Sequence, residues 1–431
     1  MHGEYRVLVD HGVWRNFGDL AMLTGVCNAY RDFGHVRCAV LSDRLSGGPP
    51  PFSAPIAEAA SLGRSIRAGV QQRIRQWEGY LRLCPAGVRT SIESRMILGG
   101  IKRNGKAPHD YSVDEERLDQ FVQPFDGLHL AGGGYITDAF PYAILEKTCL
   151  IRAFHRQGKP IVVTGQQFGP FRSRAAEAAW KDALQMVDFV GLREATCSYQ
   201  VCRRAGVLAR TVIMGDDSFG LAAADDAEVA SLLERHGLSR SRFLAVNLRI
   251  SSYSHEHAMH AREFARLVKA VAAALHVPAV VVPICVGKGE CDIVAGRRLQ
   301  TLIKELVMID DDCLTPALVK GILKQAYAGI GASYHFCTFC LGQGVPALCT
   351  VAGKYYLQKA AGLASFWERP EILVRLGTTG SASGLSRMAR FLESDAVRRQ
   401  LHARAEQALA TWNACFAQAA STLMSRKRIA G

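Results

Sequence analysis

The chain has 431 residues, 49% of them hydrophobic and 21% charged, with 40 Gly and 15 Pro, a balance that excludes a disordered, collagen-like or coiled-coil protein. At this length two domains of about 200 residues each are expected, because single cores stop growing. Lys and Arg outnumber Asp and Glu by 52 to 39, a formal +13 that favours anionic partners without choosing among phosphorylated metabolites, acidic headgroups and nucleic acid.

Thirteen cysteines at irregular spacing argue against a secreted disulfide scaffold and for a reducing cytoplasm. The N-terminal residues lack a basic n-region with a following apolar run, and about 18 uncharged apolar residues never occur in succession. A cytoplasmic protein that does not span a membrane is the expectation.

In chain order, Tyr5 to Val9 reads as a strand, followed by a Gly-containing turn and a helix over Asp19 to Tyr30 with apolar spacing of three and four. Arg37 to Leu41, Gly127 to Ala131, Pro160 to Gly165 and Phe189 to Leu192 read as further strands, separated by segments long enough for crossover helices. The grammar repeats with strands at Phe243 to Leu248, Ala279 to Ile284, Ala328 to Ile330 and Ala347 to Val351, and helices such as His260 to Leu275 and Thr315 to Gln325. This predicts an α/β protein of two Rossmann-like domains with doubly wound parallel sheets. The expected boundaries are residues 1–222 for the first domain, 223–241 for a linker whose Asp225, Asp226 and Glu228 suit a solvated connecting helix, and 242–394 for the second domain. Residues 395–431 form a C-terminal helix that could pack back on the first domain.

Residues 61–106 interrupt the alternation with ten Arg or Lys against Glu78 and Glu93. Ile66, Val70, Ile74, Trp77 and Leu81 recur at helical spacing, so a basic amphipathic insertion is expected there. A solvated helix packed on its domain fits that pattern, and so does a helix docked on an anionic membrane surface.

Three Gly-bearing loops carry the first chemical signals. His11 to Asp19 opens into a helix whose backbone N–H groups suit an anion, with Asp19 fitting either a cap or a ligand contact. Gly132 to Gly134, expected to lead through Tyr135 into a helix, and Gln166 to Pro170 leave the carboxyl ends of predicted parallel strands, where open α/β sheets bind ligands. Neither a dinucleotide G-x-G-x-x-G nor a P-loop is present. In the second half, His335 falls at a strand end or first helical turn, a place for an imidazole that moves a proton near neutral pH. Cys337 and Cys340 have a C-x-x-C spacing but no second ligand pair, and read as small core residues.

The series Asn16-Phe-Gly18-Asp19, Ala131 to Gly134, Gln166 to Pro170, Arg193-Glu194 with Ser198, Gly215-Asp216-Asp217-Ser-Phe219, and Ser333-Tyr-His335 with Gly344-Val-Pro346 and Lys359 resembles the polysaccharide pyruvyl transferase family. That resemblance implies two Rossmann-like domains facing across a cleft, as in GT-B enzymes. It also implies a phosphoenolpyruvate-dependent ketal-pyruvyl transferase of exopolysaccharide or cell-surface glycan biosynthesis, acting on a sugar or lipid-linked oligosaccharide. Neither a cofactor nor a metal is implied, and peripheral contact with anionic membrane is compatible with it. His335 and Arg193 become candidate catalytic residues, His335 as acid or base and Arg193 as a holder of donor charge. Asn16, Gly18, Asp19, Gly132, Gly133, Gln166, Arg249, Ser333, Tyr334 and Lys359 become candidate substrate contacts. Many family members carry Arg at the position of Ser333, and the serine after Arg193 comes one residue late here. Two rival readings are a GT-B glycosyltransferase using a nucleotide sugar and a non-enzymatic basic scaffold or nucleic-acid binder. The second lacks helix-turn-helix, RNP and zinc-finger signatures, so nucleic acid is not an expected partner.

Overall fold

The computed structural model describes residues 4–10, 16–42, 56–58, 115–238, 242–250, 257–287, 290–310, 312–377 and 382–425. The basic stretch 61–106, with its expected amphipathic helix, lies outside the described residues. The chain divides into two compact units, one of residues 1–12, 22–217 and 413–431, the other of residues 13–21 and 218–412.

The first unit holds β1 (Tyr5–Asp10), β2 (Val36–Ser42), β3 (Ile56–Glu58), β4 (Gly127–Leu130), β5 (Gly133–Ile136), β6 (Ile161–Phe168), β7 (Phe189–Leu192) and β8 (Thr211–Ile213). Their order is β3-β2-β1-β4-β6-β7-β8, with β5 beside the end of β6, and the pairings are parallel. Every residue of β4, β6 and β7 is buried, the pattern of strands covered by helices on both faces. The core joins these strands to Ile144, Ile151 and Phe154 of the helix Pro141–Arg156 and to Trp180 of the helix Arg174–Leu184.

The second unit holds β9 (Leu244–Asn247), β10 (Ala279–Val281), the small antiparallel pair β11 (Val286–Gly287) and β12 (Glu290–Cys291), then β13 (Val307–Met308), β14 (Ala328–Gly331), β15 (Ala347–Val351) and β16 (Leu373–Arg375). The main sheet runs β13-β10-β9-β14-β15-β16, all parallel. In both sheets the strand order reverses once, between β1 and β4 in the first and between β9 and β14 in the second. These are the topological switch points at whose carboxyl ends open α/β sheets bind ligands.

Three expectations are corrected. Tyr135 lies in β5, where Gly133 pairs with Gln166 and Ile136 with Phe168, and the following helix starts only at Pro141. The stretch expected as a solvated connecting helix does form the helix Asp226–Arg235, capped by Asp225, but it is a core element, with Val229, Leu232 and Leu233 buried in the second core. Residues 13–21 group with the second unit because Asn16 bridges to Cys285 and the Phe17 N–H donates to the Ile284 carbonyl at 2.8 Å. Of the C-terminal helix Asp395–Ser425, residues 413–425 belong to the first unit, where Phe416 packs on Tyr30 and the Leu423 carbonyl accepts from the Tyr5 hydroxyl at 2.5 Å.

Candidate functional site

At the second unit's switch point, β14 ends at Gly331 and the helix Tyr334–Leu341 begins directly after Ser333, its N-cap in extended backbone. His335 therefore sits in the first helical turn, 7% exposed, with the Tyr334 ring edge-on at 5.3 Å and the Phe339 ring at 6.2 Å. Its other wall is Gly18. A Cβ at that position would stand 2.0 Å from the imidazole Nδ1 and 2.1 Å from Cγ, so only glycine admits the ring. Asn16 sets this approach by capping the helix Phe17–Arg31, its side-chain oxygen accepting from the Gly18 N–H at 3.0 Å and its carbonyl from Leu20 at 2.9 Å. The cap is thus Asn16, while Asp19 lies within the first turn.

Arg249 follows β9, the strand paired with β14 through Asn247 and Gly331, so it emerges at the same sheet edge as Ser333. Its guanidinium faces the buried Asp292 carboxylate at 3.7 Å. Half-buried Lys359 lies on the helix Lys354–Phe366 that leaves β15. Cys337 and Cys340 point into the core, where burial raises both thiols well above their ordinary range, and the Cys337 Sγ stands 3.7 Å from the Gly331 and Leu348 carbonyls. Among the described residues no cluster of His, Cys, Asp or Glu is arranged to hold a metal ion.

At the first unit's switch point, β1 ends in Asp10 and β4 leads into Gly132. Asp10 forms a buried ion pair with Lys147 at 2.5 Å, and Lys147 also stands 5.5 Å above the Tyr135 ring. The Gln166 amide donates to the Ala131 carbonyl at 2.5 Å and to the Tyr135 hydroxyl at 2.7 Å, joining the two glycine-bearing loops. Gly133 lies flat under Tyr135, whose ring carbons a Cβ there would meet at 2.2 Å. Gly132 donates its N–H to Asp217 at 2.8 Å.

Asp217 closes a wholly buried chain of hydrogen bonds whose direction follows from the protons available. The carboxylate accepts from the Thr164 hydroxyl at 2.5 Å, which commits the one threonine proton. Thr164 must then accept from Nε2–H of His129 at 2.6 Å, leaving Nδ1 to accept from the Tyr30 hydroxyl at 2.8 Å. Burial holds this imidazole neutral, its pKa lowered to about 3, and pushes the Tyr30 phenol well up, so neither group ionises near neutrality.

Arg193, expected to hold donor charge, has partners inside the first unit. It is 1% exposed at the end of β7, with Nη2 on the Gln167 side-chain oxygen at 2.6 Å and Nη1 3.4 Å from Asp216. These acceptors commit the guanidinium to the interior of the first unit, where it ties two loops together. Its neighbour Glu194 accepts from the Ser198 N–H at 3.0 Å and from the Ser198 hydroxyl, fastening the start of the helix Cys197–Ala205, and Ser198 in turn accepts from the Phe168 N–H.

The family model for polysaccharide pyruvyl transferase matches residues 16–351 of the chain, across both switch points. The chain belongs to this family. It is therefore a member of a transferase family, and its solved structural neighbours show a GT-B-like fold. Medicago truncatula UGT71G1 complexed with UDP-glucose aligns with a TM-score of 0.55 at 10% identity, over 97% of this chain and 98% of that one. A ugt transferase from Siraitia grosvenorii in complex with UDP gives 0.53 at 11% identity, over 98% and 100%. The UDP-GlcNAc 2-epimerase of Neisseria meningitidis gives 0.52 at 10% identity, over 97% and 100%. At such identities the likeness concerns the fold alone. No curated protein matches the chain. Among the described residues no helix is long and apolar enough to cross a membrane.

Sequence reasoning missed Asp10, Lys147, His129, Thr164 and Asp292. Only Asp10 carried a usable signal, a carboxylate directly after the apolar run Val7-Leu8-Val9, where a buried parallel strand meets the ligand edge.

Proposed function

We propose that the protein transfers the pyruvyl group of phosphoenolpyruvate to a sugar diol, free or on a lipid-linked glycan, forming a cyclic ketal and inorganic phosphate. The observation that carries this reading is His335 in the first turn of a switch-point helix, fitted against Gly18 of the Asn16-Phe-Gly-Asp19 segment, in a chain of the pyruvyl transferase family.

In this reaction the methylene carbon of the donor gains a proton and one sugar hydroxyl bonds to its central carbon. The bond from that carbon to the phosphate oxygen then breaks, and the second hydroxyl closes the ring. Two hydroxyl protons are released, one ending on the new methyl group and one on phosphate. His335 serves as the proton-handling group, since imidazole exchanges protons near neutral pH. Arg249 and Lys359 supply positive charge toward a trianionic donor, with the helix start at Ser333 and Tyr334 adding backbone N–H donors. Arg193 holds the loops of the first unit and does not touch the donor in this scheme.

The test is incubation with phosphoenolpyruvate and a panel of pyranoside diols. Phosphate release should accompany an acid-labile mass gain of one pyruvate less one water. Stabilisation by UDP together with indifference to phosphoenolpyruvate would instead point to glycosyl transfer.

A further inference from the structure

We propose that Asp292 is a positioning residue for this reaction, fixing both the wall against which His335 rests and the orientation of Arg249. The proposal rests on the assignment of those two residues given above. Asp292 is 1% exposed and opens the helix Asp292–Gln300. A carboxylate in a first helical turn commonly serves only the helix, yet this one faces away to a different set of donors. Its Oδ2 accepts from the backbone N–H of Ile284 and of Cys285 and from the Asn247 amide, each at 2.9 Å. Its Oδ1 lies 3.7 Å from the Arg249 guanidinium.

Two arms leave this carboxylate. One runs through the Ile284–Cys285 backbone, where the Ile284 carbonyl receives the Phe17 N–H at 2.8 Å and Cys285 bridges to Asn16. Those contacts seat the start of the helix Phe17–Arg31 and hence Gly18, where any Cβ would strike the His335 ring. The other arm is ionic and aims Arg249, two residues beyond the β9 residue Asn247, which carries its own bond to the same carboxylate. One buried anion thus sets the places of a cation and of an imidazole that come from different strands. The arrangement suits a donor whose negative groups must lie at a fixed distance from a proton-handling group, where small displacements cost much rate.

The experiment compares the wild type with Asp292→Asn, with Asp310→Asn as control. Asp310 pairs with Arg297 of the same helix at 2.7 Å, but on the exposed side. Amide hydrogen exchange gives a readout that needs no substrate. In Asp292→Asn the Ile284, Cys285 and Phe17 amides should exchange about tenfold faster or more, with the helix Pro316–Gln325 unchanged. Kinetically, kcat should fall about tenfold and the donor KM should rise, while the control matches the wild type. Asp292→Glu, which keeps the charge, should recover donor KM more than kcat. Should the variants fail to fold, the wild type alone still decides, since Phe17, Ile284 and Cys285 must share one level of protection. Rapid exchange at Phe17 beside protected Ile284 and Cys285, or kinetic constants in Asp292→Asn equal to those of the control, overturns the proposal. A wild type that binds no phosphoenolpyruvate sinks the pyruvyl-transfer reading instead, and the exchange data still report on the link from Asp292 to Gly18.

Discussion

The imidazole of His335 and the Cα of Gly18 are packed so closely that a methyl group on Gly18 would fall 2.0 Å from Nδ1. Such a distance cannot be relieved unless the imidazole or the start of the helix Phe17–Arg31 moves. Gly18→Ala should therefore lower kcat for ketal formation by roughly 10- to 100-fold, in line with the cost of small misplacements in an active site. The strain itself should cost about 1–3 kcal/mol of stability. Steady-state phosphate release, together with the imidazole nitrogen resonances of His335, checks both, and wild-type kcat with unshifted resonances would show that the contact does not matter.

Replacing His335 itself separates chemistry from packing. His335→Asn keeps a polar side chain of similar reach but has no titrating nitrogen, so kcat should fall by about 10²- to 10⁴-fold, the usual contribution of a positioned acid or base. Donor binding followed by thermal shift should change little. A variant that retains more than a tenth of wild-type kcat would remove the imidazole from the proton path.

Much of the architecture was readable because buried parallel strands announce themselves as apolar runs, and Phe189 to Leu192 and Ala347 to Val351 fall where expected. The failure at Tyr135 has a physical cause. A run of three glycines carries no side-chain periodicity, and β6 continues to Phe168, past the expected Gly165, offering an edge to which Gly133 and Ile136 pair. At the site, Gly18 and His335 were legible as members of motifs, but their contact was not, since it joins residues more than three hundred positions apart. The partners of Arg193 were hidden for a related reason: an arginine's sequence neighbours do not reveal that Gln167 and Asp216 lie against its guanidinium.

The burial of Arg193 makes its substitution a test of fold against ligand. Arg193→Met leaves Asp216 buried without its cation, a change that should cost about 3–5 kcal/mol. Urea unfolding should show that loss in the absence of any substrate. Unchanged stability with a raised donor KM would return Arg193 to the list of donor contacts.

The chain Tyr30, His129, Thr164 and Asp217 makes a prediction about pH. His129 titrates near 6.5 when unfolded, whereas burial lowers it to about 3 in the folded protein. Between those values the unfolded state binds the extra proton, so stability is complete above about pH 6.5 and declines as the pH falls toward 3. The slope approaches about 1.4 kcal/mol per pH unit for one such group. His129→Gln keeps one donor and one acceptor but removes the titration. The difference in unfolding free energy between wild type and variant should therefore shrink steadily from pH 7 to pH 4. A constant difference over that range would mean that the imidazole is not held neutral.

Thr164 is the link on which the direction of that chain depends, because its single proton goes to Asp217 and its lone pair to His129. Thr164→Val conserves shape while removing both bonds. It leaves a buried N–H and a buried carboxylate short of one partner each, at a cost of about 1–3 kcal/mol for each group. Because Asp217 also holds the Gly132 N–H, the loss should be felt at the glycine loop as well as in global stability. Faster amide exchange at Gly132, measured alongside a lowered unfolding midpoint, is the expected result. A lowered midpoint with Gly132 still fully protected would confine Thr164 to the core and detach the buried chain from the switch-point loop.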